Sequence, residues 1–81
     1  MNRDEVLVTV CLALAEALDL PQDEIEEGSR FKEDLEADSL DLVELLLAME
    51  KVYGFKVTDE EATEILTVRD AVELIMDKAT V

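Results

Sequence analysis

Between Leu40 and Tyr53 the chain places Leu42, Val43, Leu45, Leu46, Leu47, Ala48 and Met49 in little more than two turns' worth of sequence. Leu, Ala and Met favour helix, so the stretch reads as a helix that is apolar almost all round. A helix of that kind predicts a central element, and the rest of the chain has to supply what covers it. Its ends are marked. Asp38 can cap the start by accepting from the amide of Leu40 or Asp41, Asp41 adds negative charge at the positive end of the helix dipole, and Gly54 is placed as C-cap. The predicted helix runs from Ser39 to about Tyr53.

The covering elements follow from the same period. Asn2 and Glu5 stand at capping-box spacing, and Leu7, Val10/Cys11, Leu14 and Leu18 repeat at i, i+3/i+4, which predicts a first helix over residues 3 to about 18, ended by Asp19-Leu20-Pro21. Thr58-Asp59-Glu60-Glu61 has capping-box spacing, but the apolar-helical pattern after it lasts barely two turns, so a third helix is short. Thr67 can cap a fourth, in which Val68, Ala71, Val72, Ile75 and Ala79 share one face. From Asp19 to Asp38 no helical period is sustained. Leu20, Ile25, Phe31 and Leu35 are spaced there as anchors, Gly28-Ser29 suits a turn, and one helical turn is expected near residues 22 to 26. With two Gly, one Pro and 4% aromatic residues, tight hairpins and aromatic strands have little to be built from. The expected fold is all-α: a small four-helix bundle with three main helices, one short third helix and a long first loop. Two cores would each be too small in 81 residues, so residues 1–81 are expected to form a single domain.

Net charge is −15, from 22 acidic and 7 basic residues. Nucleic acid and anionic membrane would both repel such a surface, and its partners should be basic. Eleven of the acids lie between Glu33 and Glu64 against two basic residues, which makes the middle of the chain the expected docking face. Charge repulsion also favours a monomer. A single cysteine, Cys11, allows no internal disulfide and reads as a small buried hydrophobe. With no apolar run of membrane-spanning length and no basic-then-apolar leader, a cytoplasmic protein without membrane insertion is expected.

The chain has no histidine, so catalysis by a nucleophile and a paired base lacks a base of suitable strength, and no enzyme activity is expected. Calcium fails on spacing. Asp34, Glu36 and Asp38 match positions 1, 3 and 5 of an EF-hand loop, but position 6 is Ser39 instead of Gly and position 12 is Leu45 instead of Glu, so no metal site is expected. What stands out is the stretch Glu33-Asp34-Leu35-Glu36-Ala37-Asp38-Ser39-Leu40-Asp41-Leu42-Val43-Glu44-Leu45. It strongly resembles the acyl carrier protein family, whose hallmark is Asp-Ser-Leu preceded by an acidic-leucine pair and followed by Asp and Val-Glu-Leu on one helix. The resemblance extends over essentially the whole chain, including Thr58-Asp59-Glu60-Glu61-Ala62 and Thr67-Val68.

The resemblance implies that Ser39 carries 4′-phosphopantetheine, donated from coenzyme A by a phosphopantetheinyl transferase with Mg²⁺, and that acyl groups ride as thioesters on the thiol of that arm. It implies that synthases, transferases, reductases and dehydratases with basic patches dock on Asp38, Leu40, Asp41, Glu44, Leu47 and Glu50, with Asp38 also helping to place the transferase's metal. It implies an acyl pocket among Leu42, Leu46, Met49, Ile65 and Ala71. The function so implied is carriage of growing chains in fatty acid synthesis. A polyketide or other specialised pathway is the alternative within the family, and a cofactor-free acidic helical adaptor the alternative outside it. Three positions depart from the family pattern: Glu36 replaces a usual glycine, Lys51 a common acid and Thr58 a frequent proline. Glu36 predicts that the turn before Asp38 need not be left-handed.

Overall fold

Each helix begins at a residue whose side chain closes the first turn. The computed structural model describes residues 2–79. Helix α1 (Arg3–Leu18) starts at Asn2, whose side chain accepts from the Glu5 amide at 2.9 Å. Helix α2 (Ser39–Tyr53) starts at Asp38, α3 (Asp59–Thr63) at Thr58, and α4 (Val68–Ala79) at Thr67. The last three are reciprocal boxes: Asp38 with Asp41, Thr58 with Glu61, and Thr67 with Asp70. The end of α1 differs in mechanism from expectation. Asp19 turns left-handed (φ 56°) and the amides of Asp19 and Leu20 both return to the Ala15 carbonyl, so the helix is closed two residues before Pro21 can act. Gly54 closes α2 in the same conformation.

The four helices and a three-residue 3-10 turn (Gln22–Glu24) form an all-α bundle, and its core is not centred where the sequence places it. The residues with no or almost no exposure are Val6, Val10 and Leu14 of α1 and Val68, Ala71, Val72 and Ile75 of α4. These two helices make the main interface. Helix α2 buries Leu45, Leu46 and Met49 but leaves Leu40, Val43, Leu47 and Val52 exposed. Its apolar composition is therefore split between a core face and an outward stripe, because three partners in so short a chain cover only one side of it.

The first loop is ordered by burial and by backbone bonds. Ile25, Phe31, Leu35 and Ala37 are buried, and Leu20 is half-buried against the core. Arg30 and Thr67 form an isolated antiparallel bridge: the Phe31 amide donates to the Leu66 carbonyl, and the Val68 and Arg69 amides to the carbonyls of Ser29 and Glu27. The buried Ser29 hydroxyl accepts from the Glu26 amide at 3.0 Å, which forms the turn that Gly28-Ser29 suggested.

The expectation for Glu36 is overturned. Its φ is 55°, so the turn before Asp38 is left-handed although the residue has a side chain. The constraint comes from both sides: Leu35 and Ala37 are buried and the Ala37 amide donates to the Phe31 carbonyl at 2.7 Å, which leaves residue 36 to make the reversal. A left-handed L-residue costs about 1–2 kcal/mol, and glycine gives back roughly 0.4–1 kcal/mol through its freer unfolded chain. Glu36→Gly should thus raise unfolding free energy by about 0.5–1 kcal/mol, read from a urea melt.

Glu27 ties three segments together. Its carboxylate pairs with Arg3 of α1 and lies 3.9 Å from Arg69 Nε of α4, while its carbonyl accepts from the Arg69 amide. The Arg3 guanidinium, chiefly by direct pairing, holds the Glu27 carboxyl below the ordinary carboxylate range; Arg30 does the same to Asp34, and Lys78 to Glu61. A carboxyl with a lowered folded pKa adds stability above its unfolded value, and loses it as pH falls through the folded one. Acidification from about pH 5 to pH 3 should lower the melting temperature through these groups. The repulsion among 22 acids relaxes over the same range, but Glu27→Gln shares that change, so the variant should show the shallower acid-side loss in parallel melts.

Candidate functional site

Ser39 is the first residue of α2 and its side chain is exposed. The position follows from the local sequence: Phe31, Leu35 and Ala37 anchor the loop, Glu36 reverses it, and the Asp38–Asp41 box starts the helix at Ser39. Asp38 accepts from the Asp41 amide at 2.9 Å and Asp41 accepts from the Asp38 amide at 3.1 Å, so the two carboxylates before and after Ser39 are held by the backbone. Amides in the first turn of a helix have no intrahelical acceptor and sit at the positive end of the dipole, a setting that stabilises a phosphate ester on a neighbouring side chain.

Beside the hydroxyl lies a cavity of about 650 Å³. Ser39, Leu42 and Val43 of α2 form one wall, Asp59, Ala62 and Thr63 of α3 face them, and Phe31, Ala37, Ile65 and Leu66 complete the apolar lining. Lys32, Glu33 and Asp38 add charged groups to the lining. Two other depressions, of about 400 and 390 Å³, involve α1 and the 3-10 turn and no residue of α2.

Of the five side chains suggested for an acyl pocket, Leu42 and Ile65 line this cavity. Leu46, Met49 and Ala71 do not; they are 4%, 2% and 0% exposed, within the closed core. Val43, Ala62 and Leu66 also line the cavity, and the sequence does not single them out for it. Val43 was within reach of a sequence reading, since i+4 from Ser39 falls one turn further along the same helix face. Leu66 carries no such signal, because its place depends on where the Phe31 amide finds its carbonyl.

The six suggested docking residues fall into three settings. Leu40 and Leu47 are 63% and 51% exposed, with Val43 between them on the same stripe, and Glu44 is exposed alongside. Asp38 and Asp41 flank Ser39 and are engaged with backbone. Glu50 is half-buried, and its Oε2 accepts from the Val57 amide at 2.6 Å. Cys11 is buried, its thiol is pushed up by desolvation, and Sγ lies 3.8 Å from the Ile25 carbonyl. Asp34, one of the EF-hand-like acids, is turned onto Arg30 through both carboxylate oxygens.

The exposed Ser39 hydroxyl thus stands at a helix start, next to a cavity with a largely apolar lining. Residues 8–75 match the family described as the phosphopantetheine attachment site. The chain is 41% identical over 80 residues to an acyl carrier protein of Rubrobacter xylanophilus, covering 99% of each. In structure it is similar to acyl carrier proteins of Enterococcus faecalis (TM-score 0.79, 35% identity, 96% of this chain and 99% of that one) and Thermotoga maritima (TM-score 0.83, 26% identity, 96% and 91%). The chain belongs to the acyl carrier protein family, whose members carry covalent 4′-phosphopantetheine. Among the described residues no helix is long and apolar enough to cross a membrane.

Proposed function

We propose that Ser39 is the attachment point of the 4′-phosphopantetheine arm, and that residues 1–81 act as one carrier unit delivering acyl chains to the enzymes of fatty acid synthesis. The observation that carries this reading is the exposed Ser39 hydroxyl at the first position of α2, opening onto an apolar cavity. When bound, the arm supplies a thiol that holds acyl groups as thioesters. The chain's own residues do the rest. The positive dipole end of α2 would hold the phosphodiester, Asp38 and Asp41 keep the first turn formed, and Leu42 and Ile65 would offer apolar surface to the acyl chain. A longer chain reaches Leu46, Met49 and Ala71 by repacking the core, as flexible Leu and Met side chains permit.

The chain is a carrier and not an enzyme in this reading. Deprotonation of Ser39 falls to a phosphopantetheinyl transferase, which brings coenzyme A and Mg²⁺. That enzyme and the acyl-chain synthases, transferases, reductases and dehydratases dock through basic patches on the acids around Ser39, with Leu40 and Leu47 as the apolar contacts. Complexes formed largely by charge associate fast, dissociate readily and weaken with salt. The protein works as a cytoplasmic monomer, without binding nucleic acid or inserting into membrane. The experiment is an intact-mass measurement after incubation with a promiscuous transferase, coenzyme A and Mg²⁺: one phosphopantetheine should be gained, and an unchanged mass would defeat the proposal.

A further inference from the structure

Helix α3 forms one wall of the cavity and yet is the least anchored helix. It has five residues, none fully buried, with Phe55 before it and Ile65 after it as apolar pegs. A helix so short does not hold itself, so its place is set by ties from other elements. Among the described residues two polar ties reach it or its approach. From α4, Lys78 Nζ pairs with Glu61 Oε1 at 2.7 Å, and that oxygen also accepts from the Thr58 amide at 3.0 Å. From α2, Glu50 Oε2 accepts from the Val57 amide at 2.6 Å. Val57 is the residue before the Thr58 cap, so the second tie falls at the joint from which α3 departs. Glu50 lies near the end of α2, past the Leu40 to Leu47 stripe, and its carboxylate bridges seven residues to reach this amide.

We infer that Glu50 is a positioning residue: by accepting from the Val57 amide, its carboxylate fixes where the chain turns into α3 and so sets the α3 wall of the cavity beside Ser39. A short charge-assisted bond to a half-buried amide is among the stronger single ties available to such a loop. The inference deepens the carrier reading by naming what shapes its cavity, and rests on that reading only for what the cavity holds.

In the free chain a role in docking alone predicts no change for either of two variants, whereas positioning by hydrogen bond separates them. Glu50→Gln keeps a carbonyl oxygen at a similar reach and loses the charge, whereas Glu50→Ala loses both. Amide hydrogen exchange and methyl chemical shifts are measured by NMR on the full, unmodified chain. In Glu50→Ala the Val57 amide should exchange about tenfold faster or more, with the methyl signals of Leu42, Ala62 and Ile65 shifted and the core amides of Val10 and Val72 unchanged. Glu50→Gln should restore most of the Val57 protection. Unchanged Val57 exchange in Glu50→Ala, unmoved cavity methyls, or a Gln variant indistinguishable from Ala would each overturn the inference. Because no arm or acyl chain is present in this measurement, failure of Ser39 loading would leave its result standing, and the reverse holds as well.

Discussion

Ser39→Ala is expected to abolish the mass gain with transferase and coenzyme A completely, while the unfolding free energy from a urea melt stays within about 0.5 kcal/mol of the parent. The two halves belong together. The Ser39 side chain is exposed and makes no hydrogen bond among the described residues, the helix start is held by Asp38 and Asp41, and Ala is at least as good a helix former as Ser. Loss of loading then cannot be traced to unfolding. A gain that persists in Ser39→Ala would place the arm elsewhere and remove the basis of the site described above. Asp38→Ala is the informative companion, because it removes a cap worth about 0.5–2 kcal/mol as well as a carboxylate beside the hydroxyl, so its loading defect mixes two causes.

Leu14→Ala carries the largest expected effect on stability. Leu14 is 1% exposed and belongs to the α1 face packed against α4. Truncating a buried leucine costs about 2–5 kcal/mol, whereas a domain of this length has only about 4–12 kcal/mol in all. The variant should lose about 2–5 kcal/mol of unfolding free energy, a large share of that total, and shift its urea midpoint accordingly. Leu47→Ala, the same substitution at a 51% exposed position of α2, should change stability by less than about 0.5 kcal/mol. Comparable losses at both positions would contradict the division of α2 into a core face and an outward stripe.

Much of the architecture was legible because helix starts in this chain are written locally. Asn2, Asp38, Thr58 and Thr67 each cap within three residues, and these short-range rules hold whatever the tertiary context. What was not legible depends on distance. The apolar count of α2 does not reveal which leucines find partners, since that depends on α1 and α4 meeting each other. Glu36 is left-handed because its neighbours are buried, a constraint that its own side chain argues against. At the site, Ser39 stood out by its surroundings in sequence, but the cavity joins segments from Phe31 to Leu66, and no helical period links them. The resemblance assigns Glu50 to the exposed docking acids, and only the returning loop shows it half-buried with the Val57 amide as its partner.

The pairing of the first helix with the last also bears on how the protein is made. Synthesis proceeds from the N-terminus at about 5–20 residues per second, so Val6, Val10 and Leu14 leave the ribosome well before Val68, Val72 and Ile75 exist to cover them. The bridge between Arg30 and Thr67 waits for the same late segment. Nascent chains stalled before α4 should accordingly remain open to protease, and protection should come in one step once that helix has cleared the exit tunnel.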